Sequence, residues 1–317
     1  MDYRHRSASD LAEEMTLLLN GKILFMLRVV IGIALMALVP VVHAETKVQL
    51  ATGADYSSGD FGSTTKTNVL LAPIGAKISN GNWTFRVSVP YVSISGPSNV
   101  TVVIEDSGGG SNSGSETDSG RESSGSSSSS SSSGSDDDGG SSGGGTTATT
   151  VVRDRTVSGI GDTTLSATYS FNSIADSPAY IDVIGRVRLP TGDEVKGTGT
   201  GATDYIAQTE AGFDAKAGGM YLTGGRRFLG STKLLKRVSG WQAGAGAWVN
   251  MGNSVVLGTY YDWRQASTLN SPDPSEVGAY LTLKLSTTFK MELNAGKSLH
   301  RTGADYSAGV MFSWRVK

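Results

Sequence analysis

The sequence predicts an all-β fold, a transmembrane antiparallel up-and-down β-barrel of about twelve strands. Three observations carry the prediction. Run after run alternates apolar and polar residues with a period of two, as a strand with one greasy and one wet face must. Tight turns and longer links alternate along the chain, the pattern of bacterial outer-membrane barrels. Aromatic residues gather at predicted strand ends, like interfacial girdles, whereas a soluble sandwich would bury them mid-strand.

Bulk properties fit this reading. The 317 residues include no cysteine, 42 glycines and 18% charged residues, with a formal charge of -2. A disulfide framework and thiolate metal sites are thereby excluded, and near-zero charge gives no global case for nucleic-acid binding. The 38% apolar share is low for one large dry core and suits strands that are wet on one side.

Residues 1–44 read as an N-terminal extension plus an export leader. Arg28, the apolar run that follows it and Val42-His43-Ala44 have the layout of a signal peptide cleaved after Ala44. The run is short for a membrane-spanning helix, which needs roughly 20 residues. Asp2, Asp10, Glu13 and Glu14 are foreign to such a leader, so Met26 is the expected true start. The barrel proper is assigned to residues 45–317.

Strands are expected at 46–57, 67–79, 82–95, 162–172, 179–190, 204–216, 220–229, 241–250, 254–267, 275–286, 288–300 and 304–316. In 82–95, Trp83, Phe85, Val87, Val89 and Tyr91 alternate with Thr84, Arg86, Ser88 and Pro90. In 179–190, Ile181, Val183, Val187 and Leu189 oppose Asp182, Arg186 and Arg188. The faces of 220–229 are ambiguous. One expected belt holds Trp83, Tyr169, Phe171, Tyr180, Phe213, Tyr221, Phe289, Phe312 and Trp314. The other holds Tyr56, Tyr91, Tyr205, Phe228, Trp241, Tyr261, Trp263 and Tyr306.

Residues 97–158 collapse into Ser, Gly, Thr and Asp and are expected to be a disordered extracellular loop inserted in the barrel. Nine acidic against three basic residues give the segment a net charge of -6. Asp136-Asp137-Asp138 within it reads as solvated spacer rather than a cation site.

The last strand resembles the assembly signal of outer-membrane barrels in Ser307, Gly309, Phe312 and Trp314, with the departure that Arg315-Val316-Lys317 trail behind it. That implies the barrel-assembly machinery as a partner.

Charges on the wet face are too costly to turn toward lipid and natural around a water-filled lumen. The expected solute pathway is lined by Arg86, Asp182, Arg186, Arg188, Glu210, Asp214, Asp262, Arg264, Lys284 and Glu292. Lys47, Asp55, Lys77, Asp204, Lys216, Glu276, Lys290 and Arg315 belong to the same inward set. A mixed-charge constriction is expected where Arg86, Arg186 and Arg188 face Asp182 and Glu210. The competing reading is a lumen plugged by its own side chains. Arg226, Arg227, Lys233, Lys236 and Arg237 read as contacts to lipopolysaccharide phosphates. Outer-membrane lipids are expected partners; no cofactor, metal or nucleic acid is expected.

Gly159-Ile160-Gly161-Asp162 and Leu189-Pro190-Thr191-Gly192-Asp193 bracket a strand–turn–strand unit. Their pairing resembles the outer-membrane family labelled meta-pathway phenol degradation proteins, whose members are usually named as transporters. The resemblance is concentrated in residues 159–193 and implies a channel or transporter for small solutes, with aromatic or hydrophobic compounds as the implied class. Gly197–Gly201 lacks the pattern of a phosphate loop and reads as a flexible outer loop. Two alternatives stand beside this: a lipid hydrolase using His300 with Ser298, and a surface scaffold with a closed lumen. The expected location is the bacterial outer membrane, and no enzymatic activity is expected.

Overall fold

A computed structural model describes residues 46–61, 66–97, 101–106, 128–133, 154–171, 178–269, 271–300 and 303–316. The leader, Asp136-Asp137-Asp138 and most of the Ser/Gly tract lie outside the described residues. The strands are β1 (Lys47–Gly59), β2 (Thr67–Asn80), β3 (Trp83–Pro97), β4 (Thr101–Asp106), β5 (Ser128–Ser133), β6 (Asp154–Ile160), β7 (Thr163–Phe171) and β8 (Ala179–Leu189). There follow β9 (Asp204–Ala215), β10 (Gly218–Phe228), β11 (Gly240–Met251), β12 (Val255–Arg264), β13 (Ser275–Lys284), β14 (Phe289–Ser298) and β15 (Tyr306–Arg315). No helix occurs among the described residues.

Every neighbouring pair is antiparallel and the sheet closes. β1 bonds to β15 and β2, and β2 to β3; the order then runs through β7 to β15. β3 spans two partners, pairing β7 along Trp83–Ser88 and β6 along Tyr91–Pro97. β6 and β7 are therefore one wall position interrupted at Gly161-Asp162, and the barrel has twelve. Closure pairs the strands around the ring, with β6 among the described barrel strands bonding only to β3, and a bilayer demands such pairing because it offers no water to an orphan amide.

Eleven of the twelve expected strands match to within three residues at each end. The strand expected at 162–172 begins earlier, because Asp154–Ile160 continues the ladder on β3. The wall thus reaches into the segment assigned to the disordered loop. Inside that segment β4 and β5 also pair with each other, Thr101 opposite Ser133 and Asp106 opposite Ser128.

Tight turns lie at one end of the barrel, where Gly81 and Gly252 adopt φ of 56° and 71°, values that glycine reaches at no steric cost. The long links lie at the other end.

Burial alternates most clearly in β9. In β9, Asp204, Ile206, Gln208 and Glu210 are buried while Tyr205, Ala207, Thr209 and Ala211 are exposed. Outward lie Leu50, Leu70, Ile74, Phe85, Val183, Leu222, Leu257 and Leu293. Belt contacts form among Trp83, Phe85, Tyr169 and Phe171, with Trp83 and Tyr169 ring centroids 4.9 Å apart. Phe289 stacks on Phe312, and Tyr56 meets Tyr306 at the opposite end. The ambiguous β10 resolves: Tyr221, Thr223 and Arg227 face in, while Met220, Leu222 and Phe228 face out.

Two belt assignments are corrected. Tyr180 and Tyr221 face inward and are buried with Trp248, Val256, Tyr260 and Tyr280. Register explains why. Tyr180, Gly212, Tyr221, Gly246, Tyr260 and Gly278 stand opposite one another in a single row across β8 to β13. Each tyrosine ring lies against a neighbouring glycine, and a Cβ at Gly212, Gly246 or Gly278 would strike that ring. A second row alternates Gly219, Trp248, Gly258 and Tyr280 in the same way. Aromatic cover of glycine in adjacent strands fills one half of the interior and pins the register.

Candidate functional site

The inner wall divides into a buried half and a more open half. Along β8 to β13, Asp182, Glu210, Asp262, Arg264 and Glu276 are buried. Glu210 accepts a hydrogen bond from Tyr180 Oη at 2.8 Å, and Glu276 one from Tyr260 Oη at 2.9 Å. The two arrangements repeat each other: a glutamate, two residues before the glycine under the ring, receives the phenol. Two of the acids on this wall are thus joined to the aromatic rows. Gln242 Nε2 donates to Gln208 Oε1 at 2.8 Å on the same face.

On β14, β15 and β1 to β3, Lys290, Arg315, Lys47, Lys77 and Arg86 are half-buried, as are Arg186 on β8 and Lys284 on β13 at the borders of the buried half. Glu292 is buried and accepts from Thr282 Oγ1 at 3.1 Å. Asp55 is buried and accepts from Asn294 Nδ2 at 3.0 Å, closing over Gly309 where a Cβ would collide. Asp214 is half-buried at the turn end of β9. Lys216 departs from expectation: it sits exposed in the tight turn after β9.

Arg188, expected at the constriction, also ties into the mouth. Arg188 Nε reaches Asp204 at 3.4 Å. Asp204 is fully buried and takes Arg237 in a fork as well, with Nη1 at 3.0 Å and Nη2 closer, plus the Gly230 amide at 2.9 Å. Two arginines and one carboxylate, all buried, make a hub; removing the carboxylate would strand two charges, at a cost of about 3–5 kcal/mol. The burial of Arg237 corrects its expected surface contact with lipopolysaccharide phosphates. Arg227 is likewise buried and donates to the Gln265 carbonyl. Arg226 remains on the outer face, 4.8 Å from the Trp241 ring centre, and Lys233 and Lys236 are exposed.

The loop end is partly roofed. Residues 197–201, expected to be a flexible outer loop, belong to a 190–203 segment that is instead tied to the wall. Asp162 Oδ1 accepts from the Gly192 amide at 3.0 Å, and Oδ2 accepts from the Thr200 amide and hydroxyl, both at 2.8 Å. Thr191 Oγ1 accepts from the Thr163 amide at 2.8 Å and donates to the Gly161 carbonyl at 2.9 Å. The two short motifs singled out in the sequence are thus the two halves of one clasp. Gly159 and Gly161 face inward against Thr198, which is buried, so the loop folds into the mouth. Within it, the Lys196 amide holds the Asp193 carboxyl below its ordinary pKa. Thr232 donates to Glu194 and joins this loop to the 229–239 link.

The same mouth carries an apolar patch. Val69, Leu71, Val92 and Ile94 face inward and pack with Phe61 and Ala304 from the links, with Val157 beside them. Phe61 has φ of 45°, an uncommon conformation for a side chain of this size. The sequence reading missed this patch because its residues continue a polar-looking inner stripe.

Ser298 and His300 do not form a nucleophile–base pair. Ser298 Oγ donates to the carbonyls of His300 and Ser275, at 2.9 and 3.2 Å, while His300 Nδ1 lies 2.9 Å from the Leu299 carbonyl. Among the described residues no group of three His, Cys, Asp or Glu is placed to hold a metal.

No protein-family model matches the chain, and no curated protein does. The resemblance to the meta-pathway family therefore stays where the two short motifs put it. Solved structures do match. An outer-membrane channel from Pseudomonas putida F1 superposes with a TM-score of 0.57 at 11% identity, covering 87% of this chain and 98% of that one. The transport unit of the autotransporter AIDA-I from Escherichia coli gives 0.47 at 10% identity over 88% and 93%. The NanC porin gives 0.46 at 8% identity over 84% and 98%. At these identities the likeness to the Pseudomonas protein establishes the fold: an antiparallel barrel of the outer-membrane kind.

Proposed function

We propose that the chain forms a passage for small solutes across the bacterial outer membrane. The observation that carries this reading is the division of the inner wall, where half is filled by aromatic rows and half keeps charged side chains in contact with water. A lumen that served only as a plug would bury both halves alike. The passage runs along β13 to β15, β1 to β3 and β8, past Lys284, Glu292, Arg86 and Arg186. Asp182, Glu210, Asp214, Asp262 and Arg264 form the opposing wall, and Arg188 braces its mouth through Asp204. The apolar patch around Phe61 favours solutes with an aromatic or otherwise greasy portion.

On this reading the tight turns are periplasmic and the long links external. The leader directs export, Ser307, Gly309, Phe312 and Trp314 present the last strand to the assembly machinery, and Lys233 and Lys236 meet lipopolysaccharide phosphates. Reconstitution into planar bilayers tests the reading. Steady single-channel conductance is expected; a silent barrel would instead favour a surface scaffold with a closed lumen.

A further inference from the structure

We infer that this passage prefers small anions, because a half-collar of six basic side chains lines its periplasmic end; the inference rests on the reading of the barrel as a passage. Six consecutive wall positions, β13, β14, β15, β1, β2 and β3, each contribute one residue there: Lys284, Lys290, Arg315, Lys47, Lys77 and Arg86.

Register puts all six on the inner face. Lys284 is opposite Lys290, Lys77 is opposite Arg86, and Gln49 stands between Arg315 and Lys77. Lys47 shares the face of Gln49, two residues away. All six are half-buried.

The other six wall positions differ. Their last two inward strand residues at this end are Ser170 and Thr168 on β7, Tyr180 and Asp182 on β8, and Asp214 and Gly212 on β9. They continue with Gly219 and Tyr221, Asn250 and Trp248, and Val256 and Gly258 on β10 to β12. None is basic. Within the half-collar the matching positions hold a single acid, Glu292.

Neighbouring strands are about 4.8 Å apart, so the six positions span roughly 24 Å of wall. Like charges directly opposite each other, as in Lys284–Lys290 and Lys77–Arg86, weaken a sheet. A sequence that keeps two such pairs in one half of the barrel, with β15 and β1 between them, sets a local rule aside, which is expected at functional positions. Because the side chains point inward, lipid headgroups outside the wall do not account for them. A predominantly basic lining in a low-dielectric cleft concentrates the opposite ion. With the apolar patch at the outer mouth, the fitting class is a small organic anion, a carboxylate on a compact greasy body.

The test is the reversal potential of the full chain in planar bilayers under a tenfold potassium chloride gradient, repeated with potassium benzoate. Chloride over potassium permeability of about threefold or more is expected at low salt, approaching one near 1 M salt as screening shortens to about 3 Å. The combined variant Lys77→Gln, Arg86→Gln, Lys284→Gln and Lys290→Gln should bring the ratio to one or below while conductance persists. Arg226→Gln, on the outer face, should leave it unchanged. A conducting wild type without anion preference, or a variant that keeps the preference, overturns this inference alone. A chain that never conducts overturns the passage and the inference together.

Discussion

Asp162 shows how much a single carboxylate organises. Its two oxygens hold the 190–203 loop through the Gly192 amide and both donors of Thr200. Hydrogen bonds to a charged acceptor contribute about 1.5–3 kcal/mol each, and leaving a buried donor unmet costs about 1–3 kcal/mol. Asp162→Asn keeps the shape but replaces one accepting oxygen by a donor aimed at donors. Amide exchange at Gly192 and Thr200 should accelerate about ten- to hundredfold, since a 1.4 kcal/mol loss is a factor of ten. Exchange unchanged from wild type would mean that the loop is held by other contacts. Both motifs that meet here are readable in the sequence as turn chemistry. Their union is not, because Asp162 and Gly192 are 30 residues apart.

The strands obey a simpler grammar, and most of it is legible. Period two fixed which residues of β3, β8, β13 and β14 face lipid, because a one-residue slip would expose every polar side chain on that strand. The grammar failed at β10, where Gly224-Gly225 and Arg226-Arg227 put the same residue type on both faces. It also misplaced Tyr180 and Tyr221, since an aromatic near a strand end fits a belt or a glycine niche equally well. Only the opposite strand distinguishes them: each has a glycine across the ladder. That pairing is testable as a unit. Gly278→Ala should destabilise the barrel by about 1–3 kcal/mol through overpacking against Tyr260. In Gly278→Ala/Tyr260→Ala the added methyl meets no ring, so the double variant should be more stable than the two single losses predict. Strict additivity in detergent-micelle unfolding would count against ring-on-glycine packing.

The closed wall makes one demand on the entire molecule: its exterior must be covered by something apolar. Leu222, Ile74, Met220, Trp241 and Trp314 are each more than half exposed, and such a continuous greasy band is incompatible with water. The full-length chain should fractionate with outer membranes and require detergent to remain monodisperse. A monomer stable in plain buffer would contradict the membrane reading from fold through to passage. Alternation, turn spacing and aromatic placement were enough to read that exterior, because contact with lipid is a property of each strand taken singly. The interior was legible as a list of charges but not as an arrangement. Which carboxylate holds which arginine, which tyrosine covers which glycine, and that six cations share one side of the barrel all depend on closure bringing distant strands to a common register. Period two says which way a side chain points, and pairing across the ring says what it meets there.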